Sequence, residues 1–284
     1  MINSSQKANQ SGDNMKARNS IRSAIFALLL STLSYQLSTF AQGSLAPPGA
    51  PAPTMKTLAQ IEPRTPISSV PFTITNSGSF YLTTSIAAPS DGIAIESDDV
   101  TLDLSGFTLS GNGGSLNYGV EVGTGLTNGR QRVVIRNGIV RNFGYGIHLQ
   151  PVSSSVIVEE ILAQKCSIGI SLSGTASDSP RNCIVRNCQM VSNSIAGILL
   201  GGPAPGGRNI ISDCRAMENS AIGFQIASTN NLIIRNLASG NGTDYSISAN
   251  NRAGVIVTPT ATSSTISTGG SGSGTTDPFA NLKY

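Results

Sequence analysis

The sequence predicts an all-β solenoid of about seven coils, on the strength of two repeats and the composition. The first repeat begins after residue 90 and is an apolar–polar–apolar strand, usually behind a glycine. Its copies read Gly92-Ile-Ala-Ile, Gly119-Val-Glu-Val, Gly146-Ile-His-Leu, Gly169-Ile-Ser-Leu, Gly197-Ile-Leu-Leu, Gly223-Phe-Gln-Ile and, more loosely, Asp244-Tyr-Ser-Ile, with starts 27, 27, 23, 28, 26 and 21 residues apart. Units of this length are too short to be domains and bury an apolar face only by stacking on neighbours. The second repeat is a further strand in each unit, as in Val133-Val-Ile-Arg-Asn137, Cys183-Ile-Val-Arg-Asn187 and Leu232-Ile-Ile-Arg-Asn236. The composition agrees: 31 Gly, no Trp and only 12% charged residues suit many short strands joined by turns. A leucine-rich or helical repeat would need a 3.6-residue period in each unit, and none is present.

Taken in order, the chain opens on a leader. Arg18 and Arg22 precede the apolar run Ser23-Ala-Ile-Phe-Ala-Leu-Leu-Leu, and Thr39 and Ala41 supply small residues at a cleavage position. This is the pattern of a signal peptide over residues 1–41, and it predicts export to the cell surface, periplasm or medium. The apolar run is too short to span a membrane. Residues 42–69 hold a Pro/Ala-rich linker and an N-terminal segment, extended and semi-rigid where prolines cluster in Pro47-Pro-Gly-Ala-Pro-Ala-Pro. From Val70, strands at Phe72-Thr-Ile-Thr and Ser79-Phe-Tyr-Leu cover the open end of the stack, which a solenoid needs to avoid edge-to-edge association. The solenoid domain runs over residues 70–268. Residues 269–284 form a Gly/Ser linker and a tail, Asp277-Pro-Phe-Ala-Asn-Leu-Lys-Tyr, whose apolar residues can dock on the stack or on a partner.

Two bends per coil are expected to separate three short strands. An Asn or Asp follows the second strand in four of five copies, and a second column comprises Asn142, Lys165, Asn193, Asn219 and Asn241. Such residues tolerate the left-handed backbone of a sharp bend. Alternation then sends Ile93, Ile95, Val120, Val122, Ile147, Leu149, Ile170, Leu172, Ile198, Leu200, Phe224 and Ile226 inward. The four cysteines occupy core-like repeat positions, where Cβ vectors of stacked strands run side by side, so free buried thiols are expected over disulfides.

This organisation resembles the right-handed parallel β-helix of the pectin-lyase-like superfamily. The resemblance covers roughly residues 70–268 and rests on the Gly-led strands, the Ile-Arg-Asn bends and the opening Val100-Thr-Leu-Asp-Leu-Ser-Gly-Phe-Thr-Leu. It implies the fold and, since enzymes of that superfamily bind sugar chains along one outer face, a glycan-facing sheet. It does not imply a reaction, because the architecture hosts lyases, hydrolases, tail-spikes and adhesins alike.

The outward column of the first strand reads Ala94, Glu121, His148, Ser171, Leu199, Gln225 and Ser246, beside Glu96, Gly123, Gln150, Ser173, Gly201 and Ala227. Glu121 and His148 fall on adjacent coils, where a carboxylate would raise and orient the imidazole, making them the candidate catalytic acid/base pair. Glu96, Glu121, His148, Gln150 and Gln225 are the candidate glycan-binding face. Asp98 and Asp99 read as turn residues bonding their own backbone rather than as a calcium site with Asp103. Arg136, Arg186 and Arg235 share a repeat position that would make an outer arginine column. A zinc site lacks CxxC spacing and has one histidine to draw on, so no metal or cofactor is expected. The superfamily's hydrolase pattern departs here, with Gly-Ile-His148 in place of Gly-His-Gly, and its calcium carboxylates with a catalytic arginine cannot be assembled. Aromatic platforms for sugar stacking are also few on the outward columns.

Without the leader the chain holds 14 basic and 14 acidic residues, which gives no electrostatic reason to expect nucleic acid as partner. The expected function is an exported, non-catalytic surface, matrix or glycan-interacting module. The alternative is a polysaccharide-active lyase or glycoside hydrolase working on the outer face of the first sheet. A trimeric tail-spike or adhesin is a third reading.

Overall fold

The computed structural model describes residues 62–172, 174–175, 178–202, 207–258 and 277–284. The proposed leader, the Pro/Ala stretch through residue 61, Ser173 and the Gly/Ser run through residue 276 lie outside the described residues. Within the described residues all regular structure is β.

The glycine-led phrases form one eight-stranded sheet, made of Phe72–Ile74, Ile93–Ile95, Tyr118–Val122, Tyr145–Leu149, Ile168–Leu172, Ala196–Leu200, Ile222–Ile226 and Thr243–Ile247 in chain order. Every pairing is parallel, and the register is the one the repeat predicts. Ala94 stands against Glu121, then come His148, Ser171, Leu199, Gln225 and Ser246. All twelve predicted inward residues are at most 1% exposed. At about 1.5–3 kcal/mol for each buried aliphatic side chain, this ladder is a leading contribution to stability.

The leading glycines have a separate cause. A Cβ built on Gly169 would lie 2.6 Å from the Gly197 carbonyl oxygen, and one on Gly197 would lie 2.7 Å from that of Gly223. Each coil thus presses its backbone on the next at this column, leaving no room for a side chain.

A sixteen-stranded sheet covers the other two flanks. In the early coils its strands run through the corner, as Val133–Arg141 and Ile157–Gln164. Later they split, as Ile184–Arg186 and Gln189–Val191. The corner is a single left-handed residue, at Asn137, Glu160, Asn187, Asp213 and Arg235 with φ between 53° and 60°. The last copy therefore bends at Arg235, one residue before the expected Asn236. The second expected bend column divides. Asn142 and Lys165 do bend, but in the following coils Ser192 and Glu218 take the left-handed position. Asn193, Asn219 and Asn241 lie one residue later and turn inward. A third corner bends at Arg132, Ser155, Asn182, Arg208, Asn230 and Asn250.

The residue after each bend points into a corner of the core, and its identity changes along the stack. One corner holds Phe143, Cys166, Asn193, Asn219 and Asn241; a second holds Ile161, Cys188, Cys214, Asn236 and Asn281; the third holds Val133, Val156, Cys183, Asn209, Asn231 and Asn251. Each column passes from apolar to cysteine to asparagine. The asparagines bond one another from coil to coil, and the preceding cysteine closes the ladder. The backbone N–H groups of Cys166, Cys183 and Cys214 donate to Oδ1 of Asn193, Asn209 and Asn236, at 2.9–3.0 Å. All four cysteines are free and buried.

The stack extends past both expected limits. Thr65–Ile67 pairs in parallel with Gly78–Leu82, so strand structure begins before Val70. In the tail, Asn281–Lys283 pairs with Leu237–Ser239 and Ile256–Val257. Asn281 completes a ladder and Tyr245 donates its hydroxyl to the Leu282 carbonyl at 3.0 Å. Of the two options for the tail, the fold takes docking on the stack.

Candidate functional site

His148 and Glu121 are neighbours on the outer face of the eight-stranded sheet, as the repeat predicts, but they do not pair. The imidazole is enclosed by two tyrosine rings, with centroid distances of 5.0 Å to Tyr118 and 4.9 Å to Tyr145. The two tyrosines stack on each other at 5.3 Å. His148 is only 6% exposed, and its Nδ1 has no hydrogen-bond partner among the described residues. Burial pushes the imidazole down to about 4, against a smaller opposite pull from the Gln150 side chain. The expectation that Glu121 would raise the histidine is corrected: Glu121 is not among the groups that shift it, desolvation dominates, and the ring is neutral at pH 7.

Glu121 instead accepts a hydrogen bond from Nε2 of Gln150 at 2.6 Å. Burial raises its carboxyl above the usual range, opposed by that bond and helped by the charges of Asp91 and Glu96. Glu96 is taken by Arg130 in a tight ion pair. Gln225 stands three coils beyond His148, past Ser171 and Leu199, so the structure does not bring it to the cluster. Four of the five predicted face residues thus share one neighbourhood, and Gln225 does not.

The two tyrosines are what sequence reasoning missed. Each directly precedes the repeat glycine in consecutive coils, as Tyr118-Gly119 and Tyr145-Gly146. Simple alternation puts them on the same side as Val120 and Ile147, in the core. The glycine breaks that alternation, because its Cβ-less face presses on the next coil, and the rings swing onto the outer face beside His148. The Tyr-Gly pair in two successive units was the available signal.

Other candidates resolve into structure. Asp98 and Asp99 do not bond their own turn; Asp98 accepts from the Gln131 backbone N–H at 2.9 Å, and Asp99 pairs with Arg132 at 2.6 Å on the next coil. Asp103 does cap its own turn at the Ser105 N–H and also meets Arg136 at 3.3 Å. The arginine column is corrected too. Arg136 and Arg186 flank Glu159 in register, and Arg186 pairs with it, whereas Arg235 sits at a bend against Asp213. Each is neutralised in place. Among the described residues no group of three or more His, Cys, Asp or Glu is placed to hold a metal ion. Nor is any described helix long and apolar enough to cross a membrane.

Comparison with known proteins bears on the fold. The family described as "Right handed beta helix region" matches residues 72–205. Among solved structures, the Dettilon tailspike protein is similar at 13% identity and a TM-score of 0.38, over 69% of this chain and 50% of the tailspike. The chain thus spans about half the length of that protein, and so distant a likeness says nothing about activity. A search of curated proteins finds no match.

Proposed function

We propose that this chain, a stack of parallel β-coils similar over residues 72–205 to the family described as "Right handed beta helix region", is an exported, non-catalytic glycan-interacting module. Its binding surface is the face around Tyr118, Tyr145, Glu121 and Gln150. One observation carries the reading: the chain's single histidine is buried against a stacked pair of tyrosine rings while its carboxylate neighbour bonds an amide. General acid/base work requires groups that reach a substrate proton, and here the imidazole is buried and makes no hydrogen bond or ion pair with Glu121 among the described residues. Half-buried tyrosines beside a carboxylate and an amide instead offer ring faces for sugar stacking and partners for hydroxyls.

The second reading, cleavage by Glu121, draws on its raised pKa, which would suit a general acid. Polysaccharide binding by affinity electrophoresis, run beside a reducing-end assay, decides between them. Binding by the full chain that weakens about tenfold in Tyr118→Ala or Tyr145→Ala, with no new reducing ends, supports the module. Reducing ends that vanish in Glu121→Gln would overturn it. Export is tested by fractionating the native host and sequencing the mature N-terminus, expected at Gln42. A chain retained in the cytoplasm with residues 1–41 intact removes that part of the proposal.

A further inference from the structure

A second recognition surface lies on a different flank. Where the long loops of the later coils turn into Ile184–Arg186, Ile210–Ser212 and Leu232–Ile234, a groove of about 770 Å³ opens at the third corner. Arg181, Arg208 and Arg252 line it together with the exposed bend residues Asn182, Asn230 and Asn250. No carboxylate is among the described residues of its lining. Among the described residues Arg208 and Arg252 make no ion pair, and Arg181 reaches Asp178 only at 3.6 Å with half its side chain in solvent. This contrasts with the other flanks, where Arg130, Arg132, Arg136, Arg186 and Arg235 are each matched by an acid on a neighbouring coil. Arg141 and Arg215 also make no ion pair among the described residues, but neither lines this groove.

We propose that this groove binds a polyanionic glycan, with Arg181, Arg208 and Arg252 gripping successive carboxylate or sulfate groups along the stack. The inference shares with the preceding section only the premise of a glycan ligand. Guanidinium forks match such oxyanions in bidentate geometry, and the asparagine amides can bond the hydroxyls between them. Spacing favours an extended ligand over a single small anion. Arg208 and Arg252 sit two coils apart, which at about 4.8 Å per coil is roughly 10 Å along the axis. Among its described residues the lining contains no aromatic side chain to stack the bases of a single-stranded nucleic acid.

Three dextrans that share one backbone provide the probes: unmodified, carboxymethylated and sulfated. A single-stranded oligonucleotide is the fourth. The full chain is expected to bind the two anionic dextrans with an affinity that falls as salt rises. The double variant Arg208→Gln/Arg252→Gln should lose about tenfold or more of that affinity, whereas Arg215→Gln, an unpaired arginine elsewhere, should leave it unchanged. Preference between carboxymethyl and sulfate identifies the anion. Unaltered anionic-dextran affinity in the double variant overturns the proposal, as does tighter oligonucleotide binding lost in the same variant. The two surfaces fail separately. Arginine-dependent binding that survives Tyr118→Ala, with no tyrosine-dependent binding to any glycan, removes the tyrosine face and keeps the groove. Tyrosine-dependent binding alone does the reverse.

Discussion

Asn193 gives both its backbone N–H, at 3.0 Å, and its Nδ2, at 2.9 Å, to the single side-chain oxygen of Asn219 one coil further on. Asn219 in turn donates to the Met190 carbonyl at 3.1 Å and to Oδ1 of Asn241 at 2.8 Å. Both residues are fully buried, so neither can exchange these partners for water. Asn219→Ala should therefore strand two donors and cost about 3 kcal/mol, read as a lower Tm in a circular-dichroism melt. Ser220→Ala, exposed next door, should stay within about 0.5 kcal/mol of the parent. Equal melts for the two variants would show that the ladder contributes little.

Glycine at the head of the repeat is a steric requirement. Gly169→Ala would press a methyl against the Gly197 carbonyl and force two coils apart, at about 1–3 kcal/mol or more. Gly201→Ala supplies the control, because its nearest neighbour would be the Leu199 side chain at 3.8 Å. Chemical denaturation of the pair separates backbone crowding from any general dislike of alanine.

The thiols should be silent until the stack opens. Burial raises Cys166 and Cys183 to about 11 and pushes Cys214 up as well, so little thiolate exists at pH 8. A chromogenic disulfide reagent should find none of the 4 cysteines in the native protein and all of them in denaturant. Fast labelling of native protein, or a mobility change on reduction, would contradict the buried free state.

Acid should weaken the fold through His148. Its folded value of about 4 lies below the unfolded value near 6.5, so between those limits the unfolded chain binds the extra proton. Stability is then fully present above about pH 6.5 and declines toward pH 4, by on the order of 3 kcal/mol. Glu121 acts in the opposite sense, because its raised carboxyl favours the fold as it protonates and loses that contribution as pH rises. Denaturant midpoints across pH 4–7 should flatten in His148→Asn and steepen in Glu121→Gln. A flat profile in Glu121→Gln, where the opposing carboxyl is gone, would mean that the imidazole is not desolvated.

Much of this was legible because strand periodicity is strict where both neighbours repeat. The inward ladder and the outward column from Ala94 to Ser246 could be read residue by residue, and the register agrees at each. The bends were legible only by type. Any residue that accepts φ near 55° serves, so Glu160, Lys165 and Arg235 bend the chain as well as asparagine does. The asparagines of the later coils were drawn into the bend column because bending and laddering positions are adjacent and favour the same amide. At the site, adjacency of Glu121 and His148 followed from the repeat. Their chemistry did not, since it depends on Gln150 reaching diagonally and on two tyrosines that leave the alternating pattern at a glycine.

The corner columns also give the stack a grain. Coils near the N-terminus meet through oil and those near the C-terminus through amide rungs, with a thiol at each frontier, and the three frontiers fall at different heights. Coils are therefore not interchangeable parts. Duplicating or excising one whole turn within the amide-runged half would leave like facing like, whereas the same edit across a frontier would set an amide against an aliphatic floor with no acceptor to meet it.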